Sequence, residues 1–277
     1  MEGHIAMNWK IDCLYLGKFK VPKSSLTPNL DKDLDLWLPI LGFLLRNGKR
    51  NILVDTGINK RIIHSGKWGE APIEAGGEEL VVAALHTASV SPRDIETVVY
   101  THLHEDHAGN PQLFPSATHI FQRDEWTALL EPLPHECAQR STNYEGVAID
   151  EFKHLRCLKV VGNFQLAPEI MCYHIPGHSP GCMALTVSTK SGMYVISTDT
   201  VHLKCNLYPQ MESMSTLDGH EVKITPVSAD FGPAIPPAVV RNYYDWLNSV
   251  SLLKAMCESP EFLLTSHDPG IVNNVFL

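Results

Sequence analysis

The sequence is short of the features that mark several protein classes. Its seven cysteines, at 13, 137, 157, 172, 182, 205 and 257, are odd in number, scattered and never spaced as CxxC. That usage argues against a disulfide framework and fits reduced thiols in a cytoplasmic protein. The start, MEGHIAMNWK, carries no apolar core of a secretory signal. No stretch approaches the roughly 18 consecutive apolar residues of a membrane span. Basic residues are few: 22 Lys and Arg against 31 Asp and Glu leave a formal charge of −9. This argues against a nucleic-acid partner and against a dedicated polyanion substrate, because both need clustered cations. Repeats and low-complexity tracts are missing too. What remains is an ordinary globular composition, 44% hydrophobic over 277 residues, with enough apolar material for a sizeable core.

Histidine stands out against this background. The run THLHEDHAGN, residues 101–110, places three histidines and two carboxylates between His102 and His107. No single helix face or strand face accommodates such a run. It follows the apolar segment Ile95–Tyr100, which reads as a short buried strand, so the cluster begins where a strand ends. An extended backbone points His102 and His104 to one side. Asp106 and His107 follow a turn and diverge enough to serve a second centre, and Ala108-Gly109 permits close backbone approach. Nitrogen and carboxylate ligands without thiolate suit zinc, with iron or manganese as alternatives. Each metal needs three or four protein ligands, so the run must be completed from elsewhere in the chain.

Other strand ends offer the missing groups. LGFLLRNG and KRNILVDTG read as a hairpin about Asn47-Gly48 that ends on Asp55. GEELVVAALHTASV (77–90) has helical periodicity, and ATHIFQRDEWTALL reads as strand then helix. MCYHIPGHSPGCMALTV reads as strand, tight loop and strand, with His178 in the loop. GMYVISTDTVH closes on Asp199, and EFLLTSHDPG closes on His267. PPAVVRNYYDWLNSVSLLKAM (236–256) reads as a helix with proline at its start. Residues 201–235 show little periodicity and are expected to form a lid or pocket segment.

In this order and context the residues resemble the metallo-β-lactamase superfamily, whose HxHxDH motif stands here as His102, His104, Asp106 and His107. The phrases ILVDTG, VVYTHLHEDHAGN and IPGHSPGCMAL carry the likeness across most of the chain. The resemblance implies a single domain over 1–277, an α/β fold in which two mixed sheets are flanked by helices as an αββα sandwich. It also implies two zinc ions per chain. His102, His104 and His178 would hold one; Asp106, His107 and His267 would hold the other, with Asp199 bridging. A bridging hydroxide would then attack a carbonyl. Two divalent ions less two carboxylates and one hydroxide leave a single positive charge to stabilise the oxyanion. Asp106 is a candidate for proton transfer, and Asp55 for orienting a ligand histidine.

Within the superfamily the pattern resembles the N-acyl homoserine lactonase-like group most, which implies hydrolysis of a lactone or related ester. Other superfamily hydrolases (thioesterase, esterase, amide or β-lactam hydrolase) are alternatives. A mononuclear iron oxygenase using His102, His178 and Asp199 is a further one. That group typically carries a tyrosine three residues after the bridging aspartate; here the position is His202. His202 is a candidate carbonyl donor, and Tyr208 is a second. Leu207, Met211, Met214 and Phe231 either line a substrate pocket or cover the core, and Trp37 is either a pocket wall or a strand residue. His64, His86, His119, His135, His154, His174 and His220 are expected to be ordinary surface or core residues, and Cys182 a buried strand cysteine. The expected partner is a small neutral or apolar carbonyl compound, without nucleic acid or membrane, and with a homodimer left open.

Overall fold

Strand β1 (Lys10–Pro22) pairs antiparallel with β2 (Asp35–Arg46) over almost its whole length. Both strands are buried on both faces, and a bulge between Tyr15 and Gly17 switches which face each residue serves. Thus in β1 Ile11 and Cys13 before the bulge pack to one side of the sheet and Phe19 after it to the other, while β2 alternates regularly, with Leu36, Leu38 and Ile40 on one side and Leu41, Phe43 and Leu45 on the other. The structure is a computed structural model that describes residues 9–133, 144, 147 and 149–277; His135 and Cys137 lie outside them.

The chain continues through β3 (Asn51–Val54), α1 (Lys60–Ser65), β4 (Lys67–Trp68), β5 (Ala71–Ala75) and α2 (Glu78–Thr87). Next come β6 (Thr97–Val99), β7 (Thr118–Gln122), α3 (Arg123–Leu130), α4 (Ile149–Phe152), β8 (Arg156–Val160), β9 (Phe164–Ala167) and β10 (Ile170–His174). The rest comprises β11 (Met183–Thr189), β12 (Gly192–Ile196), α5 (Lys204–Leu207), β13 (Ser213–Ser215), β14 (Glu221–Lys223), α6 (Tyr243–Met256), β15 (Leu263–Leu264) and β16 (Val275–Phe276). One sheet runs β4-β5-β1-β2-β3-β6-β7-β8, with β16 also on β1; a second runs β15-β12-β11-β10-β9.

A layer of Ile11, Phe43, Ile52, Val54 and Val99 from the first sheet and Ile170, Leu185, Val187 and Ile196 from the second fills the space between them. On the outer face of the first sheet, Val81 and Leu85 of α2 and Leu129 of α3 pack onto Leu38, Leu53 and Val98. Trp246, Val250 and Leu253 of α6 cover Ile175, Ala184 and Val195 of the second. This is the expected αββα sandwich. Strands β3, β6 and β7 run parallel, as do β12 and β15, so their carboxyl ends collect on one edge. Asp55, His102, Asp199 and His267 all follow those ends.

Three departures from the sequence reading have physical causes. The helix expected over 236–256 begins at Tyr243, capped by the Asn242 side chain, which accepts from Tyr244 N and Asp245 N. The backbone before it is used differently: Arg241 N and Asn242 N both donate to Gly177 O, at 2.7 and 3.0 Å. The long strand β1 gave no signal, because a strand buried on both faces shows no alternation. Residues 201–235 hold a short helix, α5, and the hairpin β13–β14. Leu207 and Met214 are buried in different core layers, and Phe231 is exposed. Trp37 is a strand residue beneath the Lys18 ammonium, 4.6 Å from its ring.

Candidate metal centre

The carboxyl end of β6 delivers Thr101 and His102 directly against the turn after β3. Thr101 N and Oγ1 donate to the two Asp55 oxygens at 2.8 and 2.7 Å, and His107 Nδ1 lies 2.8 Å from Asp55 Oδ2. Asp55 adopts φ 62 and Thr198, just before Asp199, adopts φ 47. For a β-branched residue the second value is an outlier, and it turns Asp199 into the site. Gly177 in the β10–β11 loop is required as glycine: its φ is 137, and an added Cβ would fall 2.5 Å from the Trp246 backbone.

Two histidines of the cluster have their rings fixed by a bond from the second nitrogen. His178 Nδ1 donates to Val239 O and His267 Nδ1 to Pro39 O, both at 2.8 Å. That leaves the Nε2 lone pairs directed inward. His178 Nε2 lies 3.2 Å from His102 Nε2 and 3.0 Å from His104 Nδ1. Three ring nitrogens at this spacing are close to the ligand edge of a tetrahedral zinc site, about 3.3–3.4 Å for the usual zinc–nitrogen bond.

Asp106, His107, Asp199 and His267 form a second group. Asp106 Oδ2 is 3.4 Å from His107 Nε2 and 3.6 Å from His267 Nε2. Asp199 joins the two groups, with Oδ2 3.5 Å from both His107 Nε2 and His178 Nε2, and Oδ1 3.3 Å from His267 Nε2. All seven residues are buried, yet Asp106 Oδ2, His107 Nε2 and Asp199 Oδ1 have no hydrogen-bond partner. An unpaired buried polar atom costs about 1–3 kcal/mol. Divalent cations held among these atoms would remove that cost, so the donor set fits them.

Electrostatics divide the two groups. Burial pushes His102 and His104 well below the usual histidine value, with neighbouring imidazoles adding to the effect. Burial also brings His178 down to about 4. These three are neutral bases at physiological pH. Burial acts in the same direction on His107, but Asp106, Asp199 and Asp55 outweigh it and hold its pKa well above the usual value. Asp199 and Asp106 likewise raise His267 against its burial. Asp199 is held well below the usual carboxylate range: burial opposes this, and His267, His202 and His107 overcome it.

Several contributors were not visible in the sequence. Glu125 on α3, fully buried, accepts from Leu103 N at 2.9 Å and from Gly181 N at 2.7 Å. It therefore ties the backbone between His102 and His104 to the loop that carries His178; burial raises its pKa. A cavity of about 210 Å³ opens over the cluster, bounded by Phe19, Val21, Leu26, Trp68, Ala71 and Val239. From residues 201–235 the described lining includes His202. Its Nε2 is 3.3 Å from Asp199 Oδ2, and its ring stacks on His267 at 5.4 Å. Tyr208 is excluded as the carbonyl donor: its hydroxyl donates to Cys257 O at 3.1 Å, and the side chain packs in the layer beneath α6. Among the other histidines, His119 is buried between Tyr100 Oη and Phe114 O, and His174 bonds Pro180 O. His64, His86, His154 and His220 are exposed. Cys182 is buried beside Thr198 and Thr200 at the start of β11, its thiol pushed up to about 12 by burial.

A buried histidine–aspartate cluster at the shared edge of two sheets, inside an αββα sandwich, defines a metal-dependent hydrolase. The chain belongs to the metallo-beta-lactamase superfamily, whose family model matches residues 36–255. An N-acyl homoserine lactonase of Bacillus cereus is 28% identical over 200 residues, covering 69% of this chain and 75% of that one. A B. thuringiensis AiiA mutant, solved with N-decanoyl-L-homoserine at its active site, superposes with TM-score 0.71 at 24% identity, covering 94% and 93% of the two chains. AidC, described as a dizinc quorum-quenching lactonase, superposes with TM-score 0.66 at 17% identity, covering 94% and 87%.

Proposed function

We propose that the chain hydrolyses a lactone or a related ester at a dinuclear zinc site. The observation that carries this reading is the position of Asp199, whose two oxygens reach both ligand groups. His102, His104 and His178 would hold one ion, and Asp106, His107 and His267 the other, with Asp199 shared. Relatives named as lactonases, and a structural neighbour described as dizinc, support the assignment. When bound, two zinc ions supply an activated water near neutral pH and Lewis-acid stabilisation of an oxyanion.

The remaining work falls to the protein. Asp55 fixes the His107 ring through Nδ1, and Val239 and Pro39 carbonyls do the same for His178 and His267. The Asp106 carboxylate accepts and returns the proton exchanged during hydrolysis. His202 places an imidazole N–H on the cavity wall beside Asp199, within reach of a substrate carbonyl. Among the described residues lining the cavity none is Lys or Arg, which favours an uncharged substrate. We place the reaction in the cytoplasm, on the six described cysteines being free thiols. Among the described residues no helix is long and apolar enough to cross a membrane. A mononuclear oxygenase would leave Asp106, His107 and His267 buried without a task, so the dinuclear reading is preferred.

The test is a panel of lactones, esters, thioesters, amides and β-lactams offered to zinc-loaded protein of measured metal content. Lactone or ester turnover with two zinc ions per chain is expected. Full activity with one ion or none would sink the proposal.

A further inference from the structure

The cavity over the cluster has an outer wall that the ligand loops do not build. Trp68, half-buried in the two-residue edge strand β4, supplies its largest side chain. Two contacts hold the indole in place. Its Nε1–H donates to the carboxylate of Glu105, the buried residue between His104 and Asp106. Its ring meets Phe19 edge-on at 5.1 Å, and Phe19 in turn stands edge-on to His267 at 5.2 Å. The wall is therefore fastened at one end to the ligand loop and at the other, through Phe19, to a ligand of the second group. A buried carboxylate also needs its hydrogen-bond partner.

The space over the cluster is small and open on one side. At about 210 Å³ it falls below the roughly 300–1,000 Å³ of sites that bury drug-sized ligands. We infer that the pocket takes a compact uncharged lactone or ester, its non-reacting part a single ring or short chain, and that Trp68 sets this size limit. The inference rests on the ester-hydrolysis reading above. A chain as long as that of N-decanoyl-L-homoserine, which the AiiA mutant binds, would extend beyond this space, past the indole that Glu105 and Phe19 hold.

The experiment measures kcat/KM for γ-lactones of increasing side-chain length on zinc-loaded wild type, Trp68→Phe and Trp68→Ala, each checked for zinc content. Wild type should favour the short members by roughly tenfold or more. Trp68→Ala should level or reverse that order. Trp68→Phe keeps a ring but loses the bond to Glu105, so it should fall between them; it also decides the matter if the alanine variant does not fold. In parallel, binding of straight-chain carboxylates from butyrate to decanoate is read by thermal shift on the same proteins. This readout does not depend on which bond is cleaved. A size order that depends on Trp68, without lactone or ester turnover, would refute the ester reading and leave the size limit standing. Equal binding of butyrate and decanoate by wild type, or an order unchanged in the folded variants, would overturn the inference.

Discussion

The two halves of the centre are built on opposite electrostatic plans. His102, His104 and His178 are buried together without a carboxylate of their own, so burial and mutual repulsion keep them neutral. Asp106, His107 and His267, with Asp199, are equally buried, but their carboxylates raise the pKa of the two imidazoles against that burial. The first half is a ready set of lone pairs. The second holds its charge balance with protons that a cation must displace. Each half also has its own buried acid behind it: Glu125 clamps the loops of the first, and Asp55 orients His107 in the second.

The largest effect should come from removing what the halves share. Asp199→Ala is expected to lower ester hydrolysis by roughly 10³-fold or more. Steady-state kinetics at matched zinc loading checks it. Next come the two supporting acids, expected to act on opposite halves. Glu125→Gln offers one acceptor oxygen to two backbone N–H groups, so it should weaken metal binding by the three-histidine half by about 10–100-fold. Asp55→Asn should cause a similar loss in the carboxylate half. Chelator competition that resolves two affinities separates them; both variants weakening the same step would erase the distinction.

The pH dependence of the metal-free protein is a separate effect with two signs. His178 has its pKa depressed from 6.5 to about 4 in the folded state. Between those values the unfolded chain binds a proton that the native chain does not, so stability falls as pH falls through this window. The loss is on the order of 3 kcal/mol. His107 and His267 are shifted the other way. Their contribution is complete below the ordinary histidine value and is lost as pH rises through their raised values. Urea unfolding of chelator-treated protein should therefore show stability declining on both sides of a maximum. A monotonic profile would contradict the two-plan description. His202→Phe, which removes one donor to the carbonyl, should lower kcat by about 10²-fold with zinc content unchanged, as measured by kinetics and elemental analysis.

The candidate ligands were legible because all but His178, which lies in a loop between two strands, follow the end of an apolar strand, and HxHxDH packs four of them into six positions. The surroundings were not. Phe19 and Trp68 reach the cavity from β1 and β4, long before the motif in sequence, and β1 shows no alternation because both its faces are buried. Glu125 reads as an ordinary acidic residue in the first turn of a helix; its role appears only when Leu103 and Gly181 converge on it. The prolines at 236 and 237 suggested a helix start, whereas the helix begins only at Tyr243 and Val239 O before it meets His178. Pairings 22, 56 and 61 residues apart carry no local signal.

The central claim, two metal sites that share Asp199 but are otherwise separate, is tested most directly by zinc stoichiometry in two single-ligand variants. Elemental analysis of purified, reconstituted wild type should give about two zinc ions per chain. His178→Ala and His267→Ala should each retain about one, with complementary pH dependence: binding that still weakens steeply with acid in His178→Ala, and less so in His267→Ala. One ion in the wild type, or loss of all zinc from either variant in a folded protein, would contradict it.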